Sequence, residues 1–216
     1  LNRFFSLHFL VPFLIAGVSV IHLALLHEHG SNNPVGTESS VDKVPFYPYF
    51  YVKDLLAFFG LITVFAGFVF YFPNAMGHPD NYIPANPMVT PAHIVPEWYF
   101  LPFYAVLRSI PDKLGGVAAM GGALVVLFTI PFTNTSEIRG PQFRPLFRIA
   151  FWLLVVDFLI LGWIGQKAVE TPFIEIGQVA TVIYFAFFLF VIPGLGLFET
   201  KLVNFDNCKD WYLDKN

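Results

Sequence analysis

The sequence predicts an all-α, polytopic transmembrane protein with five transmembrane helices and short interfacial helices in the 73–114 loop. Three observations carry this. The chain is 56% hydrophobic and 12% charged, against about 25% charged residues in a typical soluble domain. Five apolar stretches are long enough to cross or nearly cross about 30 Å of hydrocarbon. Aromatic residues make up 19% of the chain, and Trp and Tyr favour the membrane–water interface.

The first stretch, Phe4–Leu26, ends at Gly30-Ser31-Asn32-Asn33-Pro34. It is too long for the apolar region of a signal peptide and lacks a small-residue cleavage site. Leu55–Phe72 follows a polar loop. Val117–Phe132 begins after Gly115-Gly116, and these glycines, with Gly121 and Gly122, are expected to allow close helix packing. Gly140-Pro141 separates it from Ile149–Ile164, and Pro172 separates that from Val179–Leu197. Several stretches are short at their strict edges, so the helices are expected to extend into the flanks. The chain begins at Leu1 and enters its first span almost at once, as expected of the later part of something longer. One cysteine, Cys208, excludes a disulfide framework and a cysteine-built metal site within the chain. A net charge of −3 gives no argument for nucleic acid.

Five spans put alternate loops on opposite sides. One side carries Lys43, Lys53, Arg139, Arg144, Arg148, Lys201, Lys209 and Lys215; the other carries Arg3, Arg108, Lys113 and Lys167. The excess assigns the first set to the negative, matrix or cytoplasmic side. The 73–114 loop then lies on the positive side. It is unusually long and rich in proline, and loops of that length are often functional. Trp98, Tyr99, Phe100, Phe103 and Tyr104 suit a segment at the interface, and a short helix is expected around 97–107.

His8 and His22 are the most informative pair. Fourteen residues on a helix turn through about 1400°, leaving the side chains within roughly 40° of each other and about 21 Å apart along the axis. One face of one helix thus offers an imidazole near each side of a bilayer, which suits two haems stacked across it. Hydrogen-bonded interior histidines are the alternative. Ionisable groups within membrane spans are costly and usually functional, and two at this spacing favour ligation. Pro12 between them is expected to bend the helix. If each iron takes two axial imidazoles, the second pair must come from another segment.

A second cluster is His27, Ser31, Lys53 and Asp54, all near the negative side. A His facing a carboxylate can hydrogen-bond the two carbonyls of a quinone and supply protons. From spacing alone, ordinary interfacial polarity, with Lys53 snorkelling, outweighs this. A third is Pro96-Glu97-Trp98-Tyr99. A carboxylate beside aromatic rings should be partly desolvated, which favours a proton acceptor; a Glu that merely faces water is an equal reading. Asp157 lies inside the fourth span, where a neutral or hydrogen-bonded structural role is expected. His78, Asp80 and His93 are expected to organise the long loop.

These residues stand in stretches that resemble a known family. They are Asn2-Arg3-Phe4-Phe5-Ser6-Leu7-His8, His22-Leu23-Ala24-Leu25-Leu26-His27, Gly30-Ser31-Asn32-Asn33-Pro34, Gly77-His78-Pro79-Asp80-Asn81-Tyr82, Pro96-Glu97-Trp98-Tyr99 and Leu107-Arg108-Ser109-Ile110-Pro111. The chain resembles the C-terminal part of cytochrome b of the ubiquinol–cytochrome c oxidoreductase, respiratory complex III. The resemblance implies two b-type haems, with His8 holding the low-potential haem near the positive side and His22 the high-potential haem near the negative side. It implies that Glu97, with Tyr104, serves ubiquinol oxidation, and that His27, Ser31, Lys53 and Asp54 line the site of ubiquinone reduction.

The resemblance divides the chain into a haem-ligating and quinone-reducing part (1–72), a quinol-oxidation loop (73–114) and a C-terminal membrane region and tail (115–216). Its implied partners are the N-terminal part of cytochrome b, a Rieske iron–sulfur protein, a cytochrome c1-type subunit and the lipid bilayer, in a dimeric complex of the mitochondrial inner membrane, with a bacterial inner membrane as the second choice. The rival readings are a haem-free transporter with a His–Asp proton relay, a structural anchor subunit, and a plastoquinol-type relative, which His8 and His22 disfavour.

Overall fold

A computed structural model describes residues 2–36, 39–91, 93–138 and 140–203. These residues contain helices and turns and no strand. Five stretches are long and apolar enough to cross a membrane: Asn2–His29, Phe46–Tyr71, Lys113–Thr133, Pro145–Gly165 and Phe173–Leu202. Each expected span is present, and the helices extend into their flanks, except that the second stops at Tyr71, one residue short of the expected Phe72. Arg139, Cys208, Lys209 and Lys215 lie outside the described residues.

The chain forms two compact units, 1–39 and 40–216. The first is built on helix α1, Asn2–His29. It remains helical through Pro12, where a bend was expected, and ends where the Gly30 N–H bonds to Leu26 O at 2.8 Å. At 1.5 Å per residue it is about 42 Å long, enough to cross a bilayer with a turn to spare on each side.

The second unit opens with an irregular turn, Phe46–Phe50, leading into α2, Tyr51–Tyr71. Neither α1 nor α2 buries a side chain. The core lies further along. The 73–114 loop holds a 3-10 turn at Pro79–Tyr82, another at Trp98–Phe100, and then α3, Leu101–Ser109. After Pro111, Asp112 caps α4, Lys113–Val125, by accepting a hydrogen bond from Gly115 N at 2.5 Å. A 3-10 turn over Val126–Thr129 carries α4 into α5, Ile130–Thr133, where Pro131 has no N–H to donate. Helix α6 is Pro145–Gly165 and α7 is Phe173–Ala186. A wide π-turn, Phe187–Val191, then leads into α8, Ile192–Val203. Pro193 follows that turn, and its carbonyl accepts from Thr135 Oγ1 at 2.8 Å.

Short α3 is the keystone. It packs on α4, α6 and α7 and buries Leu101, Pro102, Ala105, Val106 and Ser109. Around it lie Ala123, Leu161, Ile164, Ala180, Tyr184 and Phe187. The aromatic loop segment read as interfacial thus turns inward at its second half. Two glycines allow this close approach. A Cβ on Gly116 of α4 would meet Leu107 O at 2.5 Å, and one on Gly165 of α6 would collide with Leu101 O. Of the four glycines expected to permit close packing, Gly121 has open space beside it and Gly122 meets only Phe185 at an ordinary 3.8 Å. The hydroxyls inside are paired: Tyr184 OH donates to Ala123 O at 2.8 Å, and Thr181 Oγ1 to Gly177 O at 2.7 Å.

Helix α6 is capped at both ends by side chains far away in sequence. At its start the Phe147 N–H donates to Glu199 Oε1 at 3.0 Å, while Glu199 Oε2 accepts from Arg144 Nε at 2.8 Å. At its end Arg108 donates to Ile164 O at 3.2 Å and Lys167 O at 2.8 Å. Helix termini leave backbone groups without partners, and their dipole favours an anion at the start and a cation at the end. Both ends follow that rule.

Candidate functional site

His8 and His22 both lie on α1, exposed and on the apolar stretch the sequence indicated. His22 shares an open groove with Leu14, Ile15, Val18, Ser19 and Leu23. Neither imidazole makes a hydrogen bond among the described residues, so their nitrogens are free to bind a metal. No group of three or more His, Cys, Asp or Glu that could hold an ion exists among the described residues. A haem iron does not need one, because the porphyrin supplies four ligands and the protein only the axial ones. The donor type, the apolar surroundings and the unpaired rings all fit a b-type haem.

His27 sits in the last turn of α1, and Ser31 follows its end, in the first unit. Lys53 and Asp54 belong to the first turn of α2, in the second unit, where a carboxylate suits the positive end of the helix dipole. All four are exposed.

Glu97 ends an extended stretch and begins the Trp98–Phe100 turn, its carbonyl accepting from Phe100 N at 2.9 Å. It lines a cavity of about 270 Å³ together with His78, Asp80, Asn81, Pro91, Ile94 and Val95. The carboxylate is exposed, so this chain by itself does not supply the expected desolvation. The aromatic partners stack on one another instead: Trp98 and Tyr99 meet edge-on at 5.6 Å and Tyr99 lies 4.7 Å from Phe100. Tyr104, one helical turn into α3, donates to Ile94 O at 3.3 Å, and the Arg108 guanidinium sits 5.0 Å over its ring. The structure therefore brings Tyr104 to the strand of backbone leading into Glu97. His78 accepts from Asp80 N at 3.2 Å and so organises the loop, as expected. His93 lies 3.2 Å from Gln166 O.

Two features escaped the sequence reading. Asp157 is buried and its Oδ2 has no hydrogen-bond partner among the described residues, so of the neutral or hydrogen-bonded role expected for it the structure shows no hydrogen bond to that oxygen. Arg144 and Glu199 are buried as well, 5% and 3% exposed, and pair with each other. Their 55-residue separation follows no helical period, so no local signal could have matched them.

Two family profiles match successive parts of the chain. One, "Cytochrome b(N-terminal)/b6/petB", matches residues 1–79, and the other, "Cytochrome b(C-terminal)/b6/petD", matches residues 84–185. Cytochrome b of Phytophthora megasperma is 63% identical over 97% of this chain and 55% of its own length. That of Marchantia polymorpha is 61% identical over 96% of this chain and 51% of its own. Among solved structures, a chain of a hyperthermophilic respiratory complex III aligns over 93% of this chain and 52% of its own, with 33% identity and a TM-score of 0.84. The chain thus spans about half the length of the curated relatives it matches. With its five apolar helices and its match to both profiles, the chain belongs to the cytochrome b family.

Proposed function

We propose that this chain is the later part of the redox core of ubiquinol–cytochrome c oxidoreductase, transferring electrons from ubiquinol across the membrane to a quinone-reduction site. His8 and His22, unpaired and on one face of a membrane-length helix, are the observation that carries this reading. They would each give one axial ligand to a b-type haem, the second pair coming from the N-terminal part of the protein. Such haems supply one-electron carriers at two depths of the bilayer.

The chain's own groups divide the remaining work. Regions 73–114 and 1–72 carry the two quinone chemistries, and 115–216 is the membrane scaffold. In the first, Glu97 accepts a proton from ubiquinol at the positive side, and Tyr104 sets the backbone that carries it. In the second, His27, Ser31, Lys53 and Asp54 bind quinone at the negative side, the His and Asp supplying protons as it is reduced. Release of protons on one side and uptake on the other stores energy, because moving one charge fully against 100 mV costs about 2.3 kcal/mol. The proposed partners are a Rieske iron–sulfur protein, which takes the other electron, and a cytochrome c1-type subunit, in a dimeric complex of the mitochondrial inner membrane.

The test is His22→Leu in the assembled complex. The reading predicts loss of one of two b haems per chain by quantitative absorbance. Unchanged haem content would favour a structural anchor, and absence of haem from the unaltered complex would favour a haem-free transporter.

A further inference from the structure

The Glu97 segment is fastened at both of its ends to one short turn. Upstream, His93 Nε2 lies 3.2 Å from Gln166 O. Downstream, Arg108 donates to Ile164 O at 3.2 Å and to Lys167 O at 2.8 Å. Between these, the Leu101 carbonyl packs so tightly on Gly165 that no Cβ fits. Every anchor falls within 164–167. That turn closes α6, and Ile164 and Leu161 belong to the buried core. The Tyr104–Ile94 hydrogen bond braces the span internally.

We propose that the Ile164–Lys167 turn is the positioning element of the quinol-oxidation segment, with His93 and Arg108 as its positioning residues. The inference rests on the quinol-oxidation role given to Glu97 above. Its physical basis is simple. Residues 93–97 form no helix or strand. Fastening them upstream through His93, and the helix behind them through Arg108, restricts where the Glu97 carboxylate can lie in the cavity it shares with His78 and Asp80. A proton acceptor must stand within hydrogen-bond reach of its donor, and a misplacement of about 1 Å can cost roughly a hundredfold in rate. His93 touches no reacting atom; it acts through the backbone. The guanidinium fork of Arg108 reaches three carbonyls, those of Ile164, Gly165 and Lys167, which a lysine ammonium on a single stem does not reproduce.

The experiment uses the intact membrane complex, with decylubiquinol as the probe. Haem content is read alongside kcat and KM. His93→Ala is expected to lower kcat about tenfold, with KM within about twofold and haem content unchanged, because one positioning contact is lost while the cavity remains. His93→Gln, which still carries an N–H donor, is expected to recover most of the rate. Arg108→Lys reads the second anchor independently and is expected to lower kcat in the same way. Wild-type kcat in both His93→Ala and Arg108→Lys overturns the proposal, as does a His93→Gln variant as slow as His93→Ala. Glu97→Gln separates the two levels. If it oxidises decylubiquinol at the wild-type rate, the quinol-oxidation reading itself fails. If it is slow while the His93 and Arg108 variants are fast, only the positioning role fails.

Discussion

Glu97 and Tyr104 show what a single residue contributes here. Glu97 lines a cavity with His78 and Asp80, where, under the proposed function, a proton taken from quinol is passed on. Its replacement by Gln keeps the shape and removes the acceptor. Quinol oxidation is expected to fall by about a hundredfold or more, the usual range for general base catalysis, with haem absorbance unchanged. Tyr104→Phe removes only the hydroxyl that holds Ile94 O. A net hydrogen bond contributes about 1 kcal/mol, so steady-state oxidation of decylubiquinol should slow several-fold. The histidine pair on α1 and the Glu97 motif were legible in the sequence, because helical spacing and an unusual tetrapeptide are local signals. The contacts His93–Gln166 and Arg144–Glu199 were not, because each joins residues more than fifty positions apart with no period linking them. The lack of a partner for the Asp157 Oδ2 among the described residues was equally hidden, since only the packing around it reveals this.

At the scale of elements, α6 is held by charge at both ends and by glycine at its contact with α3. Removing one member of a buried ion pair leaves the other uncompensated, at a cost of about 3–5 kcal/mol. Glu199→Ala is therefore expected to lower the thermal stability of the purified complex strongly, whereas the double variant Arg144→Met with Glu199→Met should regain most of it. A double variant as unstable as the single one would show that the pair is not acting as a buried unit. The five long helices were readable from composition and length alone. The role of α3 was not. Its nine residues sit in a proline-rich, aromatic loop and read as interfacial; only the approach of Leu101 to Gly165 and of Leu107 to Gly116 makes it the centre of the packing.

Over the whole molecule, the solvent decides the architecture. Large apolar side chains such as Phe132 and Phe70 are 86% and 77% exposed, which is untenable in water and ordinary in lipid. The charge asymmetry of the loops is expected to orient the chain. In a Cys208→Ser background, single cysteines placed at Lys43 and Arg148 are expected to react with an impermeant thiol reagent from the same side of a sealed membrane, and a cysteine at His78 from the other. Labelling of all three from one face would overturn the assignment. Helix existence and order followed from the sequence because a membrane span is a one-dimensional pattern. The division into two compact units did not, because it depends on which helices find partners within the chain. The proposed electron transfer depends on what lies against α1. A density map of the assembled complex tests this most directly. It should contain two planar porphyrins, with iron bound to the imidazoles of His8 and His22 at depths about 21 Å apart along the helix. Lipid or protein packed against either ring, with no metal, would contradict it.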